Sequence, residues 1–269
     1  QPSSPVQRCE LSGTNVATVG SYSALDFNFQ TANSTSLAVS CADVLEYSYV
    51  TNAADNTVSS YSVDVTTGAV AVIGAPTVTG ASPYATVGFG FADNRYIFVG
   101  NEGSNDVSAF AVDPTIGALT AVPGSPFPAG TDPQAMAVDN SSLDLYVANA
   151  GSDNVSAYTI DSSTGALTAL PGSPVAVGKS PTSIVFDYDG GIAFVANHGG
   201  SNDISAFYSD LTPVPGSPFP AGGNPLSLAL GAQGRFLYSA NPDVTNPSIS
   251  GFSVDPTIAP LSGSPFPIP

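Results

Sequence analysis

Positive charge is the scarcest property of this 269-residue sequence. Four residues are Lys or Arg and 21 are Asp or Glu, which gives a formal net charge of −17 at pH 7. Proteins that bind nucleic acids or anionic membranes need clustered cations to neutralise phosphates. The four cations here are scattered, at Arg8, Arg95, Lys179 and Arg235. The composition therefore excludes both partners, while the negative charge permits cations and uncharged glycans.

Long apolar runs and cysteines are also scarce. No run of 18 apolar residues occurs, so no transmembrane helix is expected. The only cysteines are Cys9 and Cys41. Because paired cysteines are typical of exported proteins, one disulfide between them is expected, the alternative being two unpaired thiols. The chain starts at Gln1 without Met, as a mature form would after signal cleavage. Together these features predict a secreted protein.

Polarity comes mostly from uncharged side chains, because charged residues make up 9% of the chain and hydrophobic residues 42%. Such a chain is not a disordered polyelectrolyte. Its 27 Gly and 24 Pro are spread along the whole length. This distribution favours many short strands and turns over long helices.

A short motif that ends in Asn recurs every 44 to 49 residues, for example Tyr-Val-Thr-Asn at 49–52 and Tyr-Val-Ala-Asn at 146–149. An alternating run follows each copy, at 58–63, 107–112, 155–160, 204–208 and 249–254. Gly-Ser-Pro segments come next in four of the copies, and each copy ends before a further apolar run. Each repeat therefore holds four strands: an apolar first strand, a second that ends at Asn, an alternating third, and a fourth that carries prolines.

The order of these strands predicts how they are arranged. An apolar strand fits the buried, innermost position of a sheet. Proline cannot donate to a strand ladder, so the fourth strand must be a sheet edge. Four-stranded sheets of this kind are typical of a β-propeller, in which sheets (blades) repeat around an axis. A solenoid is the competing repeat fold, although its repeats are usually shorter.

The Tyr-Val-Ala-Asn strand at 146–149, the Thr-Gly-Ala-Leu-Thr turn at 164–168 and the Gly-Ser-Pro-Phe-Pro segment at 124–128 resemble YVTN/lactonase-type (6-phosphogluconolactonase-like) β-propellers. The resemblance covers about residues 36–269 and implies an all-β propeller with ligands at its top face. We define the top face as the end that carries the loops between second and third strands and the connections between repeats. Since the resembling segments are strands and turns, we expect the likeness to concern fold and not activity.

Five complete repeats are expected, at about 36–80, 81–130, 131–178, 179–222 and 223–269. Residues 1–35 form a separate N-terminal segment with further strands at 16–22 and 24–29. This segment either builds a degenerate sixth blade, caps a five-bladed ring or pairs with a neighbouring molecule.

The predicted top-face loops are rich in carboxylates and amides. Oxygen ligands of this kind suit Ca²⁺, which takes six to eight of them. The alternative is that each side chain caps its own turn. The candidate binding residues are Asn52, Asp55, Asn101, Glu102, Asp106, Asn149, Asp153, Asn197, Asp203, Asn241 and Asp243.

His198 is the only histidine and lies in the same kind of loop. A histidine near acids can act as a general base or as a metal ligand, and the alternative is an exposed loop residue. Three Asn-x-Ser/Thr triplets, at Asn33, Asn140 and Asn154, are candidate glycosylation sites.

No contiguous enzyme motif is present: the sequence lacks Gly-x-Ser-x-Gly, His-Glu-x-x-His and a phosphate-binding loop. The expectation is therefore a non-catalytic extracellular structural or binding module that associates with itself, through its N-terminal strands, or with a glycan or cell surface. The alternatives are a lactonase-like hydrolase that uses His198 and nearby acids at the top face, and a calcium-dependent glycan-binding module.

Overall fold

A computed structural model describes residues 37–40 and 46–268, except 65–66, 92–93, 140, 188, 232–233, 244 and 255–256. These residues form β-strands and no α-helix, so the described part of the chain contains no helix capable of crossing a membrane. Several expectations fall outside the described residues: the strands at 16–22 and 24–29, the Cys9–Cys41 disulfide, and glycosylation at Asn33 and Asn140.

The strands form five antiparallel sheets that follow one another along the chain. Sheet 1 contains β1 (Leu37–Ser40), β2 (Glu46–Asn52), β3 (Thr57–Val63) and β4 (Val70–Val78). Sheet 2 contains β5 (Pro83–Phe91), β6 (Asn94–Asn101), β7 (Asp106–Val112), β8 (Leu119–Ala121) and β9 (Phe127–Pro128). Sheet 3 contains β10 (Pro133–Asp139), β11 (Asp144–Asn149), β12 (Asn154–Ile160), β13 (Leu167–Ala169) and β14 (Val175–Ala176).

The last two sheets repeat this plan. Sheet 4 contains β15 (Pro181–Phe186), β16 (Ile192–Asn197), β17 (Asp203–Tyr208) and β18 (Phe219–Pro220). Sheet 5 contains β19 (Ser227–Leu230), β20 (Phe236–Asn241), β21 (Ser248–Ser253), β22 (Ala259–Pro260) and β23 (Phe266–Pro267). The predicted all-β propeller of four-stranded units is confirmed.

The first strand of each sheet is the inner one. Strands β1, β5, β10, β15 and β19 contact one another in that order, so each sheet meets the next at its first strand. The proline-bearing fourth strand lies at the opposite edge of every sheet. The predicted placement of apolar and proline-rich strands is therefore correct.

The hydrophobic core lies between successive sheets rather than within one layer. We call the face of a sheet that packs on the following sheet its forward face. On sheet 1 this face carries Tyr49 and Val58, which pack against Ile97 and Val99 of sheet 2. Corresponding clusters join sheets 2 and 3, sheets 3 and 4, and sheets 4 and 5. Successive side chains along the second and third strands point to opposite faces of the sheet, and each sheet thus has two apolar faces.

The outer strand is interrupted, and the Gly-Ser-Pro segment fills the interruption. In sheet 2, β8 and β9 both pair with β7 and leave the outer side of the central Ala109 without a strand partner. The Ser125 hydroxyl accepts a hydrogen bond from the Ala109 amide at 2.9 Å, and the Val122 amide donates to the Ala109 carbonyl. The same serine contact recurs as Ala157 to Ser173, Ala206 to Ser217 and Gly251 to Ser264.

Candidate active site

The top face is held together by the asparagines that end the second strands. In sheet 3, the side-chain amide of Asn149 donates to Asn154 Oδ1 at 2.8 Å and to Ser156 Oγ at 2.9 Å. This contact fixes the start of the third strand against the end of the second. The same pair of bonds is made by Asn52, Asn101, Asn197 and Asn241.

A second set of bonds joins each top-face loop to the connection that leads into the next sheet. The Asn105 side chain accepts from the Asp132 amide at 2.9 Å, and the Asp132 carbonyl accepts from the Ala150 amide at 2.7 Å. Asp132 has a φ of 61°, a left-handed conformation that costs energy for a residue other than glycine. These two bonds offset that cost and hold Asp132 in place.

One of these connections brings two carboxyl groups together. Glu102 begins the loop after β6, and Asp132 directly precedes β10, the inner strand of the neighbouring sheet. The two carboxyl groups influence each other's protonation, through a side-chain hydrogen bond and through charge. Burial, a hydrogen bond to Asp132 and its negative charge together raise the pKa of Glu102. Glu102 therefore holds a proton more readily than an isolated glutamate, because burial and the neighbouring carboxylate both disfavour its charged form.

Two polar side chains on inner strands surround the pair. The Gln134 amide lies 3.5 Å from Asp132 Oδ2. Tyr84 is half-buried, and burial followed by the charges of Glu102 and Asp132 raises its pKa. The Tyr84 hydroxyl is thus kept as a proton-carrying hydrogen-bond donor. The other carboxylate oxygen, Asp132 Oδ1, is buried without a hydrogen-bond partner among the described residues.

His198 lies on the same face but in a different loop, between sheets 4 and 5. Its half-buried ring places Nδ1 3.2 Å from the Asn224 carbonyl oxygen. A carbonyl oxygen can only accept, so Nδ1 carries a hydrogen and Nε2 is left as the acceptor in the neutral ring. In this tautomer Nε2 is the nitrogen that is available to accept a proton.

The other predicted binding residues are engaged in turns and loops. Asp106 and Asp203 accept from the asparagines described above, and Asp243 caps the Thr245 amide at 2.8 Å. Asp55 is exposed at the top of sheet 1. The described residues include no group of three or more His, Cys, Asp or Glu side chains arranged to hold a metal ion. Roles for these residues in ligand, calcium or glycan binding stay predictions, as does glycosylation of Asn154.

The top face offers little positive charge. Lys179 Nζ lies 2.6 Å from Asp153 Oδ2, and this contact is the first cause of the lowered pKa of Asp153. Arg95 lies at the start of β6 and Arg235 directly before β20, both at the opposite end of their sheets. Among the described residues, no unpaired Lys or Arg therefore lies at the top face.

Sequence reasoning included Glu102 and missed Asp132, Tyr84 and Gln134. A comparison of repeats could have found the pair. The residue after the motif asparagine is Ala53, Glu102, Ala150, His198 or Pro242, and the residue before the proline of the next repeat is Ser82, Asp132, Ser180 or Asn224. Glu102 and Asp132 are the acidic members of their sets, and they occur in repeats that the topology makes neighbours.

Antiparallel four-stranded sheets joined at their first strands define the chain as a β-propeller. Its sequence matches the family model described as "Lactonase, 7-bladed beta-propeller" over residues 3–131, 45–186 and 123–216. The chain therefore belongs to this lactonase family of β-propellers, as its repeat motifs suggest. No curated protein matches the chain.

Solved structures show the same fold at low sequence identity. A functionally unknown protein from Desulfotomaculum acetoxidans has a TM-score of 0.67 and 17% identity, over 90% of this chain and 74% of that one. A candidate 6-phosphogluconolactonase from Bacteroides uniformis has a TM-score of 0.65 and 18% identity, over 91% and 72%. A periplasmic gluconolactonase from Pseudomonas aeruginosa has a TM-score of 0.59 and 20% identity, over 95% and 73%.

Family membership corrects the main functional expectation. The hypothesis of a non-catalytic, self-associating extracellular structural or binding module is wrong, and the lactonase-like alternative agrees better with the family match and the similar structures. The error has a physical origin. In this fold, neighbouring polar side chains come from loops of different sheets, so the absence of a contiguous motif says little about catalysis.

Proposed function

We propose that the protein hydrolyses an uncharged lactone at the top face, with the Glu102–Asp132 pair as its acid and base. The observation that carries the proposal is that these two carboxyls meet where the loop after β6 faces the connection into β10 of the neighbouring sheet. Two carboxyls held close together supply both protonation states at once, which acid–base catalysis requires. Membership of the lactonase family supports the choice of reaction.

The reaction balances without any further reactant. The ionised carboxyl accepts a proton from water as the water oxygen bonds to the lactone carbonyl carbon. The ring C–O bond then breaks, and the protonated carboxyl donates its proton to the departing ring oxygen. The pair ends with one proton, as it began, and the product is an open-chain hydroxy acid. In the proposed mechanism Tyr84 donates a hydrogen bond to the carbonyl oxygen as negative charge develops there.

The charge distribution supports an uncharged substrate. A phosphorylated lactone would need cations near the reacting bond, whereas Lys179 is already paired with Asp153. The net charge of −17 also favours release of the product, because ring opening creates a carboxylate that the protein repels.

The test is a lactonase assay of the full chain with uncharged aldonolactones and simple aliphatic lactones, each compared with a phosphorylated aldonolactone. We expect hydrolysis of the uncharged substrates. Glu102→Gln and Asp132→Asn should each lower kcat by roughly 100- to 10,000-fold, the usual contribution of an acid or base. Asp161→Asn, an equal change of charge in an exposed turn at the opposite end of sheet 3, is the matched control and should retain full activity.

His198→Gln is the discriminating variant. If hydrolysis survives in Glu102→Gln and Asp132→Asn but is lost in His198→Gln, the reaction occurs between sheets 4 and 5 and the proposed pair is wrong. Background rates with every lactone would overturn the proposed activity altogether.

A further inference from the structure

A cleft lies between sheets 1 and 2, at the end of the molecule opposite the top face. Its volume is about 260 Å³, counting the part that is open to solvent, so it can admit only a small molecule. Tyr47, Tyr49 and Tyr96 line the cleft together with Phe89 and Arg95. The walls are therefore mostly aromatic and carry one positive charge.

The guanidinium of Arg95 has no partner among the described residues. The side chain is half-buried, yet it forms no ion pair or hydrogen bond with any of them. A cation that is partly removed from water is normally paired, because desolvating a charge costs free energy unless a partner compensates. Arg95 lacks such a partner although the chain has 21 acidic residues.

The carboxylate whose charge reaches the cleft belongs to Asp113, in the turn after β7. Burial and then the charge of Asp113 raise the pKa of Tyr47, whereas the charge of Arg95 lowers it. The Asp113 carboxylate is engaged within its own turn, where it accepts from the Thr115 amide at 2.8 Å and from the Thr115 hydroxyl at 2.6 Å. It therefore leaves the guanidinium of Arg95 to act on the cleft.

The hydroxyl groups of the cleft are already used as donors. Each of the three tyrosines donates to a backbone carbonyl in a turn of the following sheet. These bonds run from Tyr47 to Pro114 at 3.5 Å, from Tyr49 to Gly117 at 3.0 Å and from Tyr96 to Ser162 at 3.3 Å. The remaining lining residues, Phe89, Ile97 and Val112, have no polar side-chain atom. The N–H groups of Arg95 are thus the side-chain donors that the lining leaves unused.

We propose that this cleft binds a small monocarboxylate, whose carboxylate pairs with Arg95 and whose short hydrocarbon chain contacts the aromatic and aliphatic walls. A guanidinium matches a carboxylate through two parallel N–H···O bonds. Phe89, Ile97 and Val112 suit an apolar body. A phosphate dianion would need further donors, which this lining does not offer. The site lies at the opposite end of the sheets from Glu102, so it is separate from the proposed active site.

Ligand-observed NMR of the full chain with sodium butyrate tests the proposal. The salt concentration is about 0.15 M, where the net negative charge is screened beyond about 8 Å. We expect saturation transfer from the protein to butyrate, with a Kd obtained by titration. Propionate and acetate should bind progressively more weakly, by up to about fourfold for each methylene removed. Inorganic phosphate should not displace butyrate.

Variants locate the binding. Arg95→Gln should weaken butyrate binding by roughly 10- to 100-fold, the usual contribution of hydrogen bonds to a charged group. Arg95→Lys keeps the charge but not the paired N–H geometry, so it should weaken binding less. Arg235 occupies the same position of its repeat, six residues before the motif asparagine, and is exposed. Arg235→Gln is therefore the matched control and should bind butyrate as the wild type does. Glu102→Gln should do the same.

Four results would contradict the proposal. Absence of saturation transfer to butyrate from the wild-type chain would show that the cleft takes no carboxylate. Equal butyrate affinity in the wild type, Arg95→Lys and Arg95→Gln would show that Arg95 is not the partner. An equal loss in Arg95→Gln and Arg235→Gln would indicate unspecific attraction by charge. Loss of binding in Glu102→Gln would place the carboxylate at the top face instead.

Discussion

At the scale of single residues, the carboxyl pair makes a prediction about pH. In the proposed mechanism the active form holds one proton on the pair, and that proton is lost as pH rises through the raised pKa of Glu102. We therefore expect kcat to fall with increasing pH, as measured with a substrate whose own hydrolysis is subtracted. A general base at His198 would give the opposite sign, because a base accepts a proton only in its unprotonated form.

The buried asparagines make a second prediction at this scale. Asn149 is fully buried and its amide makes two hydrogen bonds. Asn149→Ala removes the donor of both bonds and should lower the free energy of unfolding by about 1–3 kcal/mol in urea denaturation. Asn52→Ala removes the same two bonds at a half-buried site, so its cost should be smaller. Equal losses would show that burial does not set the cost.

The sequence was informative about these asparagines but not about the pair. A residue that recurs at the same position of every repeat indicates a structural role within the repeat. All five asparagines end a strand, as predicted. Asp132 was missed because its position follows from contact between loops 30 residues apart in the chain. Strand pattern alone does not report which loops meet.

At the scale of structural elements, the Gly-Ser-Pro segment is a substitute for strand pairing. The Ser173 hydroxyl accepts from the Ala157 amide, which neither β13 nor β14 reaches. Ser173→Ala should therefore leave the amide of the buried Ala157 unpaired and lower the free energy of unfolding by about 1–3 kcal/mol. Ser163→Ala removes a hydrogen bond to Asp161 in an exposed turn of the same sheet and should cost less. Hydrogen exchange of the Ala157 amide, faster in Ser173→Ala, would locate the effect.

Proline placement and the serine contact differ in how far the sequence predicts them. Proline lacks an amide hydrogen, so its place at an edge follows from one residue's chemistry. The serine contact requires a gap between two short strands, which only the folded sheet reveals. Sheet 1 has no such gap, because its fourth strand, β4, continues past Gly74, and it has no equivalent serine. Val70 and Val72 at the start of β4 are 60% and 68% exposed.

At the scale of the whole molecule, net charge governs the response to salt. The net charge is −17, and the ion pair between the exposed Lys179 and the half-buried Asp153 is worth at most about 1 kcal/mol. Added salt should weaken the repulsion among the many carboxylates more than it weakens the attraction within this ion pair. We expect Tm at pH 7 to rise as sodium chloride is added. The rise should vanish near the isoelectric point of about 4.1. A fall in Tm with salt would contradict this balance.

The hydrogen bonds between each top-face loop and the connection into the next sheet also determine how the protein should unfold under mechanical force. Each of them, such as Asn105 to Asp132 or Asn202 to Asn224, links a sheet only to its successor. Mechanical load applied through the termini therefore meets a series of similar units rather than one shared core. Stretching single molecules should release the chain in a sawtooth of steps, each about 160 Å long for a repeat of about 48 residues.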